Sequence, residues 1–233
     1  MSETQSGLPN SKLFRAVAFA FASILSGFAI WILTAEIVRP RRLKFTTDVQ
    51  FAVADYARRD AAVLAARIGL VRGDLWSEAA FAYGDILWPQ IDSASNERAL
   101  PLERIRALTE MAINFAPHET RLWLLLAGDY LRLGSTDEQV GATLKMSYYT
   151  GSNTVAIVPE RLLLATQSGA LKNDELQDLV RHDIQLIVAQ KTELMPALIA
   201  AYINAPLFGQ QFIEKAVSEL DPEMLAALRA QRH

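Results

Sequence analysis

The chain has 233 residues, a net charge of −3 and no cysteine, and it therefore has no disulfide framework, no thiolate metal site and no cysteine nucleophile. Its acidic pI near 5.7 argues against nucleic acid as a partner. His118, His182 and His233 are spread along the chain without the short spacings of zinc motifs, so we expect neither a metal nor a cofactor.

The N-terminal region predicts a disordered tail over residues 1–15 and a transmembrane helix over residues 16–38. The helical segment holds one charge, Glu36, and ~20 apolar residues suffice to cross the ~30 Å hydrocarbon core. A cleaved signal peptide would have a shorter apolar run and a small-residue cleavage site, whereas this segment continues into "TAEIVRPRR". The sequence therefore favours an uncleaved single-pass anchor.

Small residues follow one face of this predicted anchor, with Ala18, Ala22 and Ser26 at i, i+4 and i+8. Such a face lets two helices approach closely in lipid, which makes a homo-oligomer one hypothesis. The alternative is that alanine is simply common in membrane helices.

A basic linker over residues 39–49 follows the predicted anchor. Four of its side chains suit anionic lipid headgroups and equally fit an ordinary flank of a membrane helix: Arg39, Arg41, Arg42 and Lys44. Positive flanks tend to stay in the cytoplasm, but long domains translocate largely regardless of charge. We expect a single-pass protein of a bacterial inner membrane with its soluble domain in the periplasm, and a cytoplasmic domain is the alternative.

The stretch "APHETRLWLLLAGDYLRLG", residues 116–134, is apolar enough to suggest a second membrane span. Two arginines and Asp129 would then lie at membrane depth, at a cost of several kcal/mol each, which rejects that interpretation. The apolar residues repeat on one helical face instead. They predict a soluble helix with Thr120 as its N-cap and a left-handed Gly134 at its end.

This helix carries a family resemblance. The pattern Trp123-x2-Leu126-Ala127-x2-Tyr130-x3-Gly134 resembles the first helix of a tetratricopeptide repeat (TPR), and the chain resembles bacterial membrane-anchored proteins that carry such repeats. Weaker echoes of the repeat extend over residues 58–168. Trp123 and Tyr130 match structural positions of the repeat, so the resemblance implies that both are buried.

Two features depart from a regular repeat array. The insertion "PQIDSASNERALP", residues 89–101, fits no regular register, and Pro159 interrupts the helix expected there. The segment "TVAIV", residues 154–158, is the one strand candidate, and we prefer a helix start for it.

The C-terminal region also has a helical pattern. Asn173 is a candidate cap for a helix over residues 173–190, and Asp221 followed by Pro222 predicts the start of another.

These observations predict an all-α fold with a single N-terminal transmembrane helix. An irregular TPR-like α-α solenoid would follow over residues 50–168, and a C-terminal helical cap over residues 169–233 would close its open end.

Tetratricopeptide arrays bind peptides in a concave groove, so the resemblance implies a protein partner. Five aromatic residues are candidates for partner contacts: Trp76, Tyr83, Trp88, Tyr148 and Tyr149. Each could instead belong to the core, as aromatic residues at helical spacing commonly do. The insertion over residues 89–101 is a second candidate, because long loops in compact domains often carry function.

No nucleotide-binding or hydrolase motif is present, so the sequence favours a protein that is not an enzyme. The expected function is that of a membrane-anchored scaffold or adaptor that recruits or assembles a partner, for example in an envelope or polysaccharide-secretion machine. The alternatives are a structural membrane protein that self-associates and an all-helical, glycan-acting enzyme that uses a carboxylate pair.

Overall fold

The computed structural model describes residues 11–40, 56–84, 102–152, 154–190 and 193–230. The described part of the chain is all-α and contains no strand, which confirms the predicted fold class. Its helices are α1 Ser11–Val38, α2 Tyr56–Gly69, α3 Gly73–Gly84, α4 Leu102–Phe115, α5 Thr120–Arg132, α6 Asp137–Thr150, α7 Val158–Gln167, α8 Asp174–Gln190, α9 Met195–Asn204, α10 Leu207–Leu220 and α11 Pro222–Ala230. Helices that follow one another along the chain pack together, which is compatible with the expected solenoid.

The long apolar helix α1 begins at Ser11, so residues 11–15 form its first turn and do not belong to the tail as predicted. Within the described residues, α1 is the one helix long and apolar enough to cross a membrane. At 1.5 Å per residue its 28 residues extend ~42 Å, which exceeds the ~30 Å hydrocarbon core. Part of α1 is therefore available for contacts outside a bilayer.

Two hydrophobic cores meet at α5. The N-terminal core joins α2, α3 and α4 to one face of α5, through Leu122, Leu125 and Leu126. The C-terminal core joins α6 to α11 to another face of α5, through Leu124 and Ala127. Because α5 is covered on two sides, its sequence is apolar around most of its circumference, as a buried helix requires.

The C-terminal core also crosses the predicted boundary at residues 168–169. Leu144 of α6 and Leu162 of α7 pack in the same core as Leu176 and Ile184 of α8. The predicted repeat region and C-terminal cap are therefore continuous in their packing.

Local signals at the helix ends are mostly confirmed. Gly134 has a φ of +67°, and the Asn173 side chain accepts a hydrogen bond from the backbone N–H of Leu176. The Asp221 side chain accepts from the backbone N–H groups of Glu223 and Met224. The prediction for α5 was wrong by one residue, because Glu119 is the N-cap and makes no side-chain capping bond.

The region around Pro159 differs from the expected interruption. Residues Val155–Ile157 form a 3₁₀ turn that leads into α7, which confirms a helix start in place of a strand. Pro159 lies in the first turn of α7, where its missing N–H leaves no helical hydrogen bond unmade. Pro159 therefore begins a helix, and the prediction that it interrupts one was wrong.

Candidate functional site

The structure places most of the candidate partner-binding aromatics in the interior. Trp76, Tyr83 and Tyr148 are 8%, 1% and 3% exposed and pack in the two cores. They stabilise the fold and do not offer a surface to a partner, so these three predictions were wrong. Tyr149 is 57% exposed, and Trp88 lies outside the described residues, as does the whole insertion over residues 89–101.

The two structural positions of the repeat motif are only partly buried. Trp123 donates its indole N–H to the backbone oxygen of Pro117 at 2.8 Å, and Tyr130 donates its hydroxyl to Glu110 at 3.2 Å. Because each has a polar group that needs a partner, both lie at the margin of the cores. The expectation that both are buried was therefore wrong in degree.

Helix α1 has two parts with different surroundings. Residues 12–30 are all exposed and almost entirely apolar, and they extend ~28 Å, close to the thickness of a hydrocarbon core. Residues 31–38 contact the rest of the protein on one face, where Ala35 is 1% exposed in the N-terminal core. Trp31 donates its indole N–H to the backbone oxygen of Ile68 at 2.7 Å. The helix is thus fixed directly to α2.

Five charged residues, which we call the anchor junction, hold the end of α1 against the start of α3: Glu36, Arg39, Arg72, Asp74 and Glu78. Arg39 donates to both carboxylate oxygens of Glu78, and the bond from its Nε to Oε2 measures 2.8 Å. Arg72 bridges Glu36 and Asp74, with a distance of 2.6 Å from Nη2 to each carboxylate. The Glu78 hydrogen bond is the main cause that raises the pKa of Arg39.

This arrangement changes the interpretation of the basic residues after α1. Arg39 pairs with carboxylates of the protein itself, and its contact with lipid headgroups stays a prediction. Arg41, Arg42 and Lys44 lie outside the described residues.

A second polar cluster, which we call the interior junction, consists of Tyr148, Arg161 and Asp183. Arg161 is 0% exposed and donates to the backbone oxygens of Ser147 and Gly151, the latter at 2.7 Å. These carbonyls end α6, where the helix dipole favours a positive charge. Burial lowers the pKa of Arg161. Its guanidinium also lies 4.4 Å from the centre of the Tyr148 ring.

The carboxyl of the interior junction is shielded from water. Asp183 is 0% exposed and accepts a 2.8 Å hydrogen bond from the Tyr148 hydroxyl. Burial raises the pKa of Asp183 to about 6, although Tyr148 and Arg161 act in the opposite direction. Burial also raises the pKa of Tyr148 well above its usual value.

A second buried carboxyl group belongs to α5. Asp129 is 0% exposed, accepts a 3.2 Å hydrogen bond from Thr109, and has a pKa raised by burial to about 7. Buried acids with raised pKa values are common at catalytic sites. Asp129 and Asp183 are nevertheless closed off from solvent by the surrounding helices, so neither offers a proton to a substrate. Their positions fit a role in joining helices.

The described residues contain no group of three or more His, Asp or Glu side chains that could hold a metal ion. His118 and His182 are both exposed, on a turn and on α8 respectively. Comparison with protein-family models, with curated proteins and with solved structures found no match for the chain. A function is therefore inferred from the residues of this chain alone.

Proposed function

We propose that the protein is a single-pass, membrane-anchored helical-repeat scaffold that holds a partner protein at a bacterial inner membrane. The observation that carries the proposal is the division of α1 into an exposed apolar part and a part fixed to the helical array. An exposed apolar helix needs lipid around it, and side-chain contacts of Trp31 and Glu36 tie the array directly to that helix. The array would therefore keep a defined position at the membrane surface.

The side of the membrane is part of the proposal, and we place the array in the periplasm. An epitope tag after His233 tests this placement in intact spheroplasts, where external protease should remove the tag. A tag that survives until lysis would place the array in the cytoplasm.

The partner surface that we propose lies on α6 and α8, around Tyr149. Its hydroxyl donates to Glu175, which also accepts a 2.7 Å bond from Lys145. An exposed aromatic ring beside charged groups resembles the composition of interface hot spots, in which Tyr is enriched. Tyr149 is the described candidate whose exposure permits such a contact.

A specific observation favours self-association as a second candidate function. The end of α9 and the start of α10 expose three apolar side chains, with Ile203 50%, Leu207 66% and Phe208 42% exposed. Grouped apolar side chains on a surface often mark an interface between proteins.

One experiment separates the two functions. A photo-crosslinking amino acid is placed at Tyr149 in one variant and at Phe208 in another, in the full-length protein in its native membrane. The scaffold proposal expects an adduct with a different protein at position 149, and exposed Lys215 provides the control position. An adduct of the protein with itself at position 208 alone would instead favour self-association. Absence of any position-specific adduct at 149 would contradict the proposed partner surface.

A further inference from the structure

The connection between α2 and α3, residues 70–72, lies beside the point where α1 meets the helical array. The backbone oxygen of Ile68, in the last turn of α2, accepts the Trp31 hydrogen bond, and Arg72 at the end of the connection pairs with Glu36. The start of α3 then reaches Arg39 through Glu78. Residues 31, 36 and 39 thus contact residues 68, 72 and 78 in the same order along the chain. The connection therefore lies level with the part of α1 that directly follows its exposed apolar part.

This connection exposes two large apolar side chains. Leu70 is 57% exposed and Val71 is 69% exposed. Leu70 also has a φ of +47°, a left-handed conformation that disfavours a leucine and suits glycine or asparagine. An exposed apolar side chain therefore stands at a position where the backbone favours another residue.

The connection between α4 and α5 lies next to this one. A Cβ atom at Gly73 would lie 2.5 Å from the backbone oxygen of Phe115, so the start of α3 and the end of α4 are in close contact. The Phe115 ring is 37% exposed and stacks on Trp76, with ring centres 5.9 Å apart. Trp76 in turn donates to the backbone oxygen of Leu70 at 2.8 Å. Exposed apolar side chains therefore continue from Leu70 and Val71 to Phe115.

We propose that the α2–α3 connection inserts Leu70 and Val71 into the interface of the same bilayer that α1 crosses, with Phe115 beside them at its surface. This inference rests on the proposed membrane anchor. Lipid is the occupant because the exposed surfaces are continuous: the part of α1 in which every residue is exposed ends just before Trp31, level with the connection, and Leu33 and Ile37 beyond it are still 59% and 73% exposed. Tryptophan favours the interfacial level of a bilayer. The array would then contact the membrane at two points, which would fix its tilt as well as its location.

The absence of cysteine makes the test direct, because a single introduced cysteine can carry a nitroxide label. The full-length protein is reconstituted in nanodiscs of phosphatidylethanolamine and phosphatidylglycerol. Collision of the label with oxygen, which partitions into lipid, is compared with collision with a water-soluble nickel chelate. Val71→Cys reports on the connection, Ile24→Cys on the exposed part of α1, and Ala142→Cys on an exposed position of α6.

If the proposal is correct, the ratio of oxygen to nickel collisions is several-fold higher at positions 24 and 71 than at position 142. A high ratio at position 24 with a ratio at position 71 equal to that at 142 overturns the insertion and leaves the anchor intact. A low ratio at both positions 24 and 71 overturns the anchor and the insertion together. Low collision with both reagents at position 71 would mean that a protein covers the connection, which also overturns contact with lipid.

A second variant tests the residue itself. Leu70→Asn suits the left-handed backbone and removes the apolar side chain, so the protein should fold at least as well. With the label at position 71, this variant is expected to lower the oxygen-to-nickel ratio several-fold. An unchanged ratio in a folded Leu70→Asn protein would show that Leu70 does not hold the connection in lipid.

Discussion

The anchor junction and the interior junction both join neighbouring helices through charged side chains, but they differ in exposure to water. Arg39 and Glu78 have side chains that are 32% and 35% exposed. Arg161 and Asp183 are both 0% exposed. Charges near water interact weakly because the solvent screens them, whereas buried charges are costly unless each has a partner.

The two junctions therefore have different structural roles. The anchor junction selects a relative orientation of α1 and α3 at a small energetic cost. The interior junction contributes to the stability of the C-terminal core. Burial of the Arg161 charge is costly, but its guanidinium donates to a backbone oxygen at the end of α6 and so caps that helix. Three substitutions test this difference.

The largest effect is expected for Arg161→Met. The variant keeps much of the side-chain volume but leaves the backbone oxygens of Ser147 and Gly151 without this donor. We expect the free energy of unfolding to fall by about 4 kcal/mol, since removal of one partner from a buried polar network costs ~3–5 kcal/mol. Denaturant unfolding in detergent, followed by circular dichroism, measures the loss.

Arg181→Met provides the matched control for Arg161→Met. Arg181 forms a surface pair with Asp178, whose side chain is 76% exposed. Loss of that pair should cost no more than ~0.5 kcal/mol. Equal losses in the two arginine variants would contradict the role assigned to the interior junction.

The second effect concerns pH and Asp183. Its folded-state pKa of about 6 lies above the ordinary value of 3.8, so the folded protein retains a proton that the unfolded chain releases. Stability from this group is therefore full below pH ~4 and is lost as the pH rises towards 6. One pKa unit corresponds to ~1.4 kcal/mol, so ionisation of Asp183 should destabilise the fold by about 3 kcal/mol.

Asp183→Asn removes this titration and retains an acceptor for the Tyr148 hydroxyl. We expect the stability of the variant relative to the natural protein to increase by about 3 kcal/mol between pH 4 and pH 7. Unfolding curves at a series of pH values measure the difference, and Asp178→Asn on the exposed face of the same helix is the control. A difference that stays constant with pH would show that Asp183 is ionised throughout this range. The buried Asp129, whose pKa burial raises to about 7, is expected to contribute to the pH dependence that remains in the variant.

Local signals in the sequence predicted the parts of the fold that depend on neighbouring residues. The apolar run of α1, the left-handed Gly134 and the caps at Asn173 and Asp221 are each decided within a few residues. The burial of Trp76, by contrast, depends on α4, which supplies the ring of Phe115. An aromatic residue at helical spacing does not reveal which side of its helix other helices will cover, so the partner-binding surface was largely mispredicted.

The interior junction was missed, although a signal for it exists. Leu176, Val180, Asp183, Ile184 and Ile187 occupy one face of α8 at i, i+4, i+7, i+8 and i+11. A charged residue among apolar positions of one face must either be buried with partners or disrupt the core. The Tyr148 hydroxyl that bonds to Asp183 lies on α6 and the charge of Arg161 lies on α7, so the cluster itself requires the tertiary structure. Asp129 on α5 presents the same pattern.

The smallest effect is expected for Arg39→Gln at the anchor junction. This change removes the charge that pairs with Glu36 and Glu78 but keeps a hydrogen-bond donor at the bond distance of the arginine Nε. A partly exposed ion pair contributes ~1 kcal/mol or less, and salt weakens it because the Debye length falls from ~10 Å at 0.1 M to ~3 Å at 1 M.

The salt dependence separates the two junctions. The loss from Arg39→Gln should shrink in 1 M salt, whereas the loss from Arg161→Met should stay nearly constant because screening ions do not reach a buried charge. Unfolding at both salt concentrations measures the two differences. If the Arg39 loss were large and independent of salt, the end of α1 would belong to the structural core in the same sense as α6 and α7. A small, salt-sensitive loss would mean instead that the hydrophobic contact at Ala35 and the Trp31 hydrogen bond hold the helix, and that the charges only orient it.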